Sequence, residues 1–189
     1  MYRRTFKPVL DFCCALFVLA TTSPLLLLLA VLGAARTKGT PLFVQDRVGR
    51  GGRTFRLVRF RAPEDAYGRF LRATSLDRLP AFLNVLKGEM SLVGPRPLLP
   101  EQAAALEERC GRRDDVRPGL TGLAQISGRK SLPAEEVSAY DASYARNVSF
   151  ALDLRILATT AARILEREGG SPERETAAIP VQGGGANAK

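Results

Sequence analysis

The chain has 189 residues, 46% of them hydrophobic, and its 28 lysines and arginines against 19 aspartates and glutamates give a net charge of +9. This length allows one domain of ordinary size, and the charge suits an anionic membrane surface, a phosphorylated substrate or a nucleic acid. The sequence contains no histidine. That excludes Ser-His and Cys-His catalysis, so any chemistry must use Asp, Glu, Lys, Arg or backbone groups. Three cysteines without ligand spacing predict neither a disulfide framework nor a zinc site.

An uncharged run at residues 12–35 carries Ser23-Pro24 at its middle and has cations on both sides. About 20 apolar residues suffice to cross a bilayer, and cytoplasmic flanks are enriched in Lys and Arg. Pro24 lacks an amide proton, and the Ser23 hydroxyl can bond a carbonyl that a break would free. Because both ends favour the same side, we predict a re-entrant helix broken at Ser23-Pro24. An ordinary kinked transmembrane helix has equal weight on these residues alone, and a cleaved signal peptide fits less well.

Beyond this run the pattern predicts a helix-rich α/β domain with a small β-hairpin. Strands are expected at residues 41–45 and 54–60, with a glycine-rich turn between them, followed by a short helix at 67–73. A further helix should begin at Thr74 or Ser75 and stop at Gly88.

The second half of the chain alternates loops and helices. Residues 90–97 are too rich in Pro and Gly for regular structure, and 116–122 form another ordered loop. We expect helices at 100–109, 133–146 and 150–166, and a short strand at 123–126. From residue 169 the composition predicts disorder. The predicted organisation is a membrane helix at 1–36, a domain at 37–168 and a tail at 169–189.

Three loops carry an arginine beside Pro or Gly: Gly94-Pro95-Arg96-Pro97, Arg117-Pro118-Gly119 and Gly128-Arg129. Proline stiffens such loops, glycine lets the backbone approach a ligand, and arginine binds phosphate in two-point geometry. Together they indicate a polyanionic substrate such as a diphosphate. For any single loop, a solvated arginine remains the simpler interpretation.

Asp77 is the acid best placed for chemistry, because it falls in the first turn of a predicted helix beside Leu76 and Leu79. A helix N-terminus stabilises a carboxylate there. An acid that only complements the helix dipole is the alternative. Arg72, one short turn upstream, is a candidate partner of Asp77 or of a phosphate.

Several strings together resemble the bacterial sugar transferase family, the monotopic phosphoglycosyl transferases. They are Ser75-Leu76-Asp77, residues 82–97, residues 116–122, Ala124-Gln125-Ile126-Ser127-Gly128-Arg129, Tyr140-Asp141-Ala142-Ser143-Tyr144, Asn147-Val148-Ser149-Phe150, Phe6-Lys7 with Asp11, Ser23-Pro24, residues 43–49 and residues 55–61. The resemblance covers residues 2 to about 168 in order.

The resemblance implies transfer of a sugar-1-phosphate from a UDP-sugar to a polyprenyl phosphate, with release of UMP and assistance from Mg²⁺. It implies a re-entrant membrane helix and a domain on the cytoplasmic face of the bacterial inner membrane. Such a reaction begins the assembly of an exopolysaccharide, an O-antigen or a glycoprotein glycan. A homodimer is left open, and no nucleic-acid partner is expected because no recognition motif or aromatic platform is present.

The resemblance also implies residue roles. Asp77 takes the position of the nucleophile, which forms an aspartyl-phosphosugar intermediate, and of a metal ligand. The residues implied to bind substrate phosphates are Arg72, Arg96, Arg117 and Arg129, and those implied in the nucleotide and sugar pocket are Pro95, Pro97, Gln125, Asp141 and Tyr144.

One position departs from the family pattern, because Arg78 stands where the family has Glu after the nucleophile. A cation there removes an oxygen ligand and repels a metal ion. The alternative function is therefore a catalytically impaired relative that binds polyprenyl phosphate or a partner at the membrane.

Overall fold

A computed structural model describes residues 1–37, 39–106, 113–128 and 132–166. A π-helical turn, Tyr2–Phe6, leads into the long helix α1, Lys7–Thr37. The elements that follow are β1 (Leu42–Val48), β2 (Thr54–Phe60), α2 (Ala66–Thr74), α3 (Phe82–Leu86), β3 (Ser91–Val93), α4 (Pro100–Leu106), β4 (Gly119–Thr121), α5 (Leu123–Ser127), α6 (Ala134–Arg146) and α7 (Phe150–Glu166). The predicted helix-rich α/β fold with a small hairpin is confirmed. The predicted tail from residue 169 lies outside the described residues.

Helix α1 packs along the domain at both of its ends. Its buried residues are Lys7, Asp11, Ala15, Leu29 and Gly33, whose spacing in steps of four and fourteen keeps them on one side of a helix. The stripe from Lys7 to Gly33 is about 39 Å long at 1.5 Å per residue. The opposite side exposes apolar side chains, and the segment Tyr2–Thr37 is long and apolar enough to cross a membrane, by length and composition only.

The helix continues through Ser23 and Pro24 as a single element rather than as two helices. Proline at position 24 leaves the carbonyl of Ala20 without its usual amide donor. The Ser23 hydroxyl donates to that carbonyl at 2.8 Å, which is the bond expected from the sequence. This compensation allows the helix to continue where we predicted an interruption, and a re-entrant path remains a prediction.

The predicted hairpin is present, with β1 and β2 antiparallel from Leu42 opposite Phe60 to Val48 opposite Thr54. Strand β2 supplies core residues at both ends. Phe55 and Leu57 join a buried cluster with Ala15 of α1, and Phe60 joins another with Leu29. The two ends of α1 therefore pack against the same domain.

A second, two-stranded sheet lies where the sequence suggested irregular loops. Strands β3 and β4 pair in parallel, with Ser91 opposite Gly119 and Val93 opposite Thr121. The prediction of a strand at 123–126 is wrong, because those residues form α5. Single-sequence patterns of three to five residues do not separate a strand from a helical turn, and here the strand pairing falls just before Gly122.

The segment that carries Asp77 follows a sharp turn. Ser75 ends α2 with φ 58° and ψ 16°, a left-handed conformation, and its side chain makes no capping hydrogen bond. A 3-10 helix, Leu76–Ala81, then leads directly into α3. A left-handed serine costs free energy and is uncommon, so this turn fixes the direction of the Asp77 segment at some cost.

A buried cluster of polar side chains connects the start of α1 to α7 by hydrogen bonds. Asp153 is 4% exposed, and its carboxylate accepts hydrogen bonds from Lys7 at 2.6 Å, Tyr2 at 2.7 Å and Tyr144 at 2.6 Å. A second contact lies four residues along α1, where Asp11 accepts from the backbone amide of Leu92 at 3.1 Å. These bonds tie the apolar helix to α6, α7 and β3.

Candidate functional site

Three arginines line one small cleft in the domain. They are Arg59 of β2, Arg78 of the 3-10 helix and Arg96 of the loop after β3, and the other lining residues are Leu57, Ala81, Met90, Pro97, Gly119, Leu120 and Gln125. None of the described residues that line this cleft is acidic. Three arginines among mostly apolar lining residues suit an anion with several oxygens, such as a diphosphate.

The loop that carries Arg96 is held against the strand end of β4. The amide of Gly94 donates to Thr121 at 2.8 Å, and the amide of Gly119 donates to Pro95 at 2.9 Å. A Cβ atom at Gly94 or Gly119 would overlap the facing backbone. Glycine is therefore required for this close approach, as expected from the sequence of the two loops.

The hairpin holds the other side of the same loop. Arg47 of β1, 6% exposed, donates to the carbonyl of Pro97 at 3.2 Å, and the amide of Val48 donates to Leu98 at 2.9 Å. Gln45 accepts from Arg47 at 2.6 Å and orients its guanidinium. The Arg96 loop is thus fixed from two sides before any ligand arrives.

A buried ion pair lies beneath the loop. Arg113 donates to the carbonyl of Arg96 at 2.8 Å, and its guanidinium lies 3.0 Å from the carboxylate of Asp141. Burial raises the pKa of Asp141 to about 6, with Arg113 opposing the shift and Asp114 adding to it. Asp141 therefore positions the arginine that holds the Arg96 loop, and it does not line the cleft.

Asp77 is half-buried and precedes Arg78 in the 3-10 helix. Arg78 lines the cleft, whereas Asp77 is outside its lining. The predicted nucleophile therefore lies next to the anion site along the chain, at the start of the 3-10 helix.

The remaining predicted site residues have diverse contacts. Arg72 donates to the carbonyls of Ala62 at 2.6 Å and Pro63 at 3.2 Å, which closes the loop between β2 and α2. Arg117 faces α1, 3.9 Å from the Asp11 carboxylate. Tyr144 is 1% exposed, and burial together with Asp153 raises the pKa of its hydroxyl.

The structure therefore brings Arg96, Pro97 and Gln125 together in the cleft. Pro95 is buried behind them, and Arg72, Arg117, Asp141 and Tyr144 make contacts elsewhere in the fold. Arg129 lies outside the described residues. Sequence reasoning missed Arg59, although its place on a predicted strand between apolar residues was the available signal.

The described side chains do not by themselves form a magnesium site. No group of three or more His, Cys, Asp or Glu residues lies together in the described part of the chain. Magnesium is often bound by one or two carboxylates together with substrate phosphates. Asp77 offers one carboxylate, but its neighbour Arg78 is a cation, so the donor set fits a resident ion poorly.

A larger groove adjoins the cleft, with a volume of about 630 Å³. The two cavities share Arg78, Leu120 and Gln125. The groove runs between α3, the β3–β4 sheet, α5 and α7, and most of its wall is apolar.

Taken together, the elements form a small α/β domain with an arginine-lined cleft, an adjoining apolar groove and a long apolar helix packed along it. The chain belongs to the bacterial sugar transferase family, whose sequence model matches residues 2–167. Membership makes it a transferase and confirms the family resemblance of its motifs.

Relatives support the same assignment. The chain is 40% identical over 181 residues to the uncharacterized sugar transferase EpsL of Bacillus subtilis, across 86% of this chain and 89% of that protein. It is 34% identical over 205 residues to the undecaprenyl-phosphate galactose phosphotransferase of Salmonella typhimurium, across 88% of this chain and 42% of that protein. It is 37% identical over 194 residues to the UDP-glucose:undecaprenyl-phosphate glucose-1-phosphate transferase of Caulobacter vibrioides, across 84% of this chain and 69% of that protein. The chain therefore spans less than half of the Salmonella relative.

Proposed function

We propose that this protein transfers a sugar-1-phosphate from a UDP-sugar to a polyprenyl phosphate and releases UMP. The observation that carries the proposal is the cleft of Arg59, Arg78 and Arg96, which lies beside the Asp77 segment and suits a diphosphate. The Salmonella and Caulobacter relatives are named as transferases to undecaprenyl phosphate, which supports a polyprenyl phosphate as the acceptor.

The proposed chemistry has two displacements at one phosphorus atom. A carboxylate oxygen of Asp77 attacks the β-phosphorus of the UDP-sugar, the bond to the bridging oxygen breaks, and UMP leaves with the electron pair. A phosphate oxygen of the polyprenyl phosphate then attacks the same phosphorus and releases the Asp77 carboxylate. The product is a polyprenyl diphosphate sugar, and the covalent intermediate divides one difficult step into two.

The arginines would act by charge. Negative charge develops on the bridging oxygen as UMP departs, and fixed guanidinium groups stabilise that charge without reorganising. Arg96 is well suited to this role because its loop is held by Arg113, Arg47 and the β4 amide at Gly119.

Magnesium remains a prediction from the family resemblance. Because Asp77 and Arg78 fit a resident ion poorly, the two displacements are attributed to the Asp77 carboxylate and the arginines alone. The impaired relative is the second candidate function, and the observation in its favour is the same cation, Arg78, in the cleft. It predicts lipid binding without UMP release.

We also propose that α1 enters and leaves the bilayer on one side, at the cytoplasmic face of the inner membrane. This is supported by the packing of both ends of α1 on one domain, through Lys7 at the start and Leu29 and Gly33 near the end. A straight spanning helix would place those ends on opposite sides of the bilayer.

The test is a UMP-release assay over several UDP-sugars, with undecaprenyl phosphate and Mg²⁺, on the purified full chain. The wild type should release UMP with one or more of them, and Asp77→Asn should reduce the rate at least about 10³-fold, since an amide is a poor nucleophile. Glu64→Gln, an exposed-loop change, is the matched control and should retain activity. Equal rates for the wild type and Asp77→Asn would remove Asp77 from the mechanism, and no release with any donor would favour the impaired relative.

A further inference from the structure

The large groove beside the cleft has an apolar wall from four parts of the fold. Phe82, Leu92, Leu120, Ile126, Leu157 and Ile164 line it. Its volume, about 630 Å³, lies within the range of roughly 300–1,000 Å³ that is usual for small-molecule sites. Leu157 and Ile164 of α7 are 37% and 52% exposed, so one wall is open to an incoming ligand.

The hydroxyl groups of two threonines in the wall are hydrogen-bonded to each other. The Thr160 hydroxyl donates to the carbonyl of Ile156 at 2.7 Å, and the Thr121 and Thr160 hydroxyls lie 2.8 Å apart. Because Thr160 uses its proton within α7, Thr121 donates to it. Both hydroxyls therefore have partners within the protein and need no polar group of a ligand.

The charged residues among the described lining of the groove are two arginines, Arg78 and Arg163. Arg78 lines both the groove and the anion cleft, and Arg163, whose guanidinium donates to Gln125 at 3.4 Å, lies on the α7 wall. No acidic side chain is among the described residues of the wall. A ligand with one anionic end and a branched apolar body matches this distribution.

We infer that this groove seats the isoprene units next to the phosphate of the polyprenyl acceptor, with the phosphate directed to Arg78. The inference rests on the proposed function and adds the place where the acceptor binds. Continuity with the cleft through Arg78, Leu120 and Gln125 brings the acceptor phosphate next to the site of the donor diphosphate. The rest of the chain would extend into the bilayer.

Binding is tested first, independently of chemistry. The chain contains no tryptophan, so Leu157→Trp introduces a single tryptophan in the groove, whose emission can be excited apart from that of the tyrosines. Leu154→Trp is the matched control, because Leu154 lies one turn away on α7, is 55% exposed and does not line the groove. Both variants are reconstituted in phosphatidylcholine vesicles and titrated with undecaprenyl phosphate, undecaprenol or phosphatidylglycerol.

We expect a saturable change in emission for Leu157→Trp with undecaprenyl phosphate, a weaker one with undecaprenol, and none with phosphatidylglycerol. Leu154→Trp should not respond. Equal responses of the two variants would mean that α7 only meets the bilayer surface, and a silent Leu157→Trp would mean that the groove does not take the acceptor. Either result overturns the inference.

Kinetics provide the second arm. Leu157→Ser and Ile164→Ser should raise the KM for undecaprenyl phosphate by about 5- to 30-fold, as expected for the loss of one buried aliphatic contact. The KM for the UDP-sugar should stay within twofold, and Leu154→Ser should resemble the wild type. Geranyl phosphate has only two isoprene units. The same increase in KM with geranyl phosphate as acceptor would place the contact near the phosphate.

The two proposals fail in different ways. If the wild type releases UMP and Leu157→Ser behaves like Leu154→Ser, the groove inference is overturned and the proposed function stands. If no UMP is released by any protein, the proposed function fails, and the fluorescence titration still decides whether the groove binds the acceptor.

Discussion

The ammonium group of Lys7 lies 2.6 Å from the carboxylate of Asp153, and both side chains are less than 10% exposed. The two residues are 146 positions apart, so this pair joins the first turn of the apolar helix to the last described helix of the domain. Tyr2 and Tyr144 donate to the same carboxylate. Lys7, at the start of the long apolar helix, is therefore paired inside the domain, whereas exposure at the surface would have been the simpler expectation.

The first prediction concerns this pair. Lys7→Met leaves the Asp153 carboxylate buried without its cation, and breaking a buried pair in this way costs about 3–5 kcal/mol. The two tyrosine donors to Asp153 offset part of the loss, so we expect about 3 kcal/mol, or a fall of about 6–12 °C in Tm for a domain of this size. Thermal unfolding in detergent measures it.

Arg36→Met is the matched control on the same helix. Arg36 pairs with Asp65 at 3.6 Å, with side chains 60% and 36% exposed, and an exposed pair contributes at most about 1 kcal/mol. A similar fall in Tm for both variants would show that the buried Lys7–Asp153 pair stabilises the fold no more than an exposed pair does.

The second prediction concerns Asp141 and pH. Its folded pKa, about 6, is raised above the ordinary value of 3.8, so the folded state holds a proton that the unfolded state has released. This contribution to stability is fully present below about pH 4 and is lost as pH rises through 6, by up to about 3 kcal/mol. Asp141→Asn does not titrate, so its stability should change less between pH 4 and 7.

Asp141→Asn also removes the charge that pairs with Arg113, which lowers the free energy of unfolding at every pH. The measurement is therefore the slope of the free energy of unfolding against pH. Asp114→Asn is the control, since its carboxylate is 48% exposed and lies 3.9 Å from Arg113. Asp114→Asn should keep most of the slope. An unchanged slope in Asp141→Asn would contradict the assignment.

The sequence predicted the elements that depend on neighbouring residues. The apolar run and α7 follow from long patterns of apolar residues, and the hairpin follows from two strand patterns around a glycine-rich turn. The Ser23 hydroxyl bond to Ala20 followed from the chemistry of one proline. The parallel pairing of β3 with β4 was missed, because its strands have three residues each and their partners are about 28 positions apart.

The same limit applies to the site. The Arg96 loop was recognisable from its Pro and Gly residues, but its supports were not. Arg47 and Arg113 reach it from distant parts of the chain, and the second does so through a buried pair with Asp141. Long-range partners of charged residues leave no periodic signal, so the sequence does not predict the contact between Asp141 and Arg113.

The third prediction concerns Arg78. Arg78→Glu replaces a cation in the cleft with an oxygen ligand next to Asp77, and this change favours a bound Mg²⁺. We expect half-maximal UMP release at about tenfold lower Mg²⁺ than in the wild type, a change of about 1.4 kcal/mol in binding. Arg78→Gln, which removes the charge without adding a carboxylate, should show a smaller shift. Superimposable magnesium titrations for all three proteins would mean that Arg78 is a neutral replacement.

The last prediction concerns the path of α1. Pro24→Ala restores the amide that donates to Ala20 and removes the residue on which the proposed re-entrant path depends, so the helix should move toward a spanning orientation. Lys7 resists this change, because its bond to Asp153 holds the start of α1 on the domain. We therefore expect a partial change in Pro24→Ala and a larger one in the double variant with Lys7→Met.

Cysteine accessibility measures the change, in a background where Cys13, Cys14 and Cys110 are replaced by serine. Thr5→Cys and Thr40→Cys report the two flanks of α1, and both positions are exposed. With Pro24 present, an impermeant thiol reagent should label both from the cytoplasmic side only. In Pro24→Ala a fraction of Thr5→Cys should become labelled from the opposite side, and Lys7→Met should increase that fraction. Opposite-side labelling with Pro24 present would establish a spanning helix instead, and same-side labelling in all variants would show that Pro24 does not determine the path.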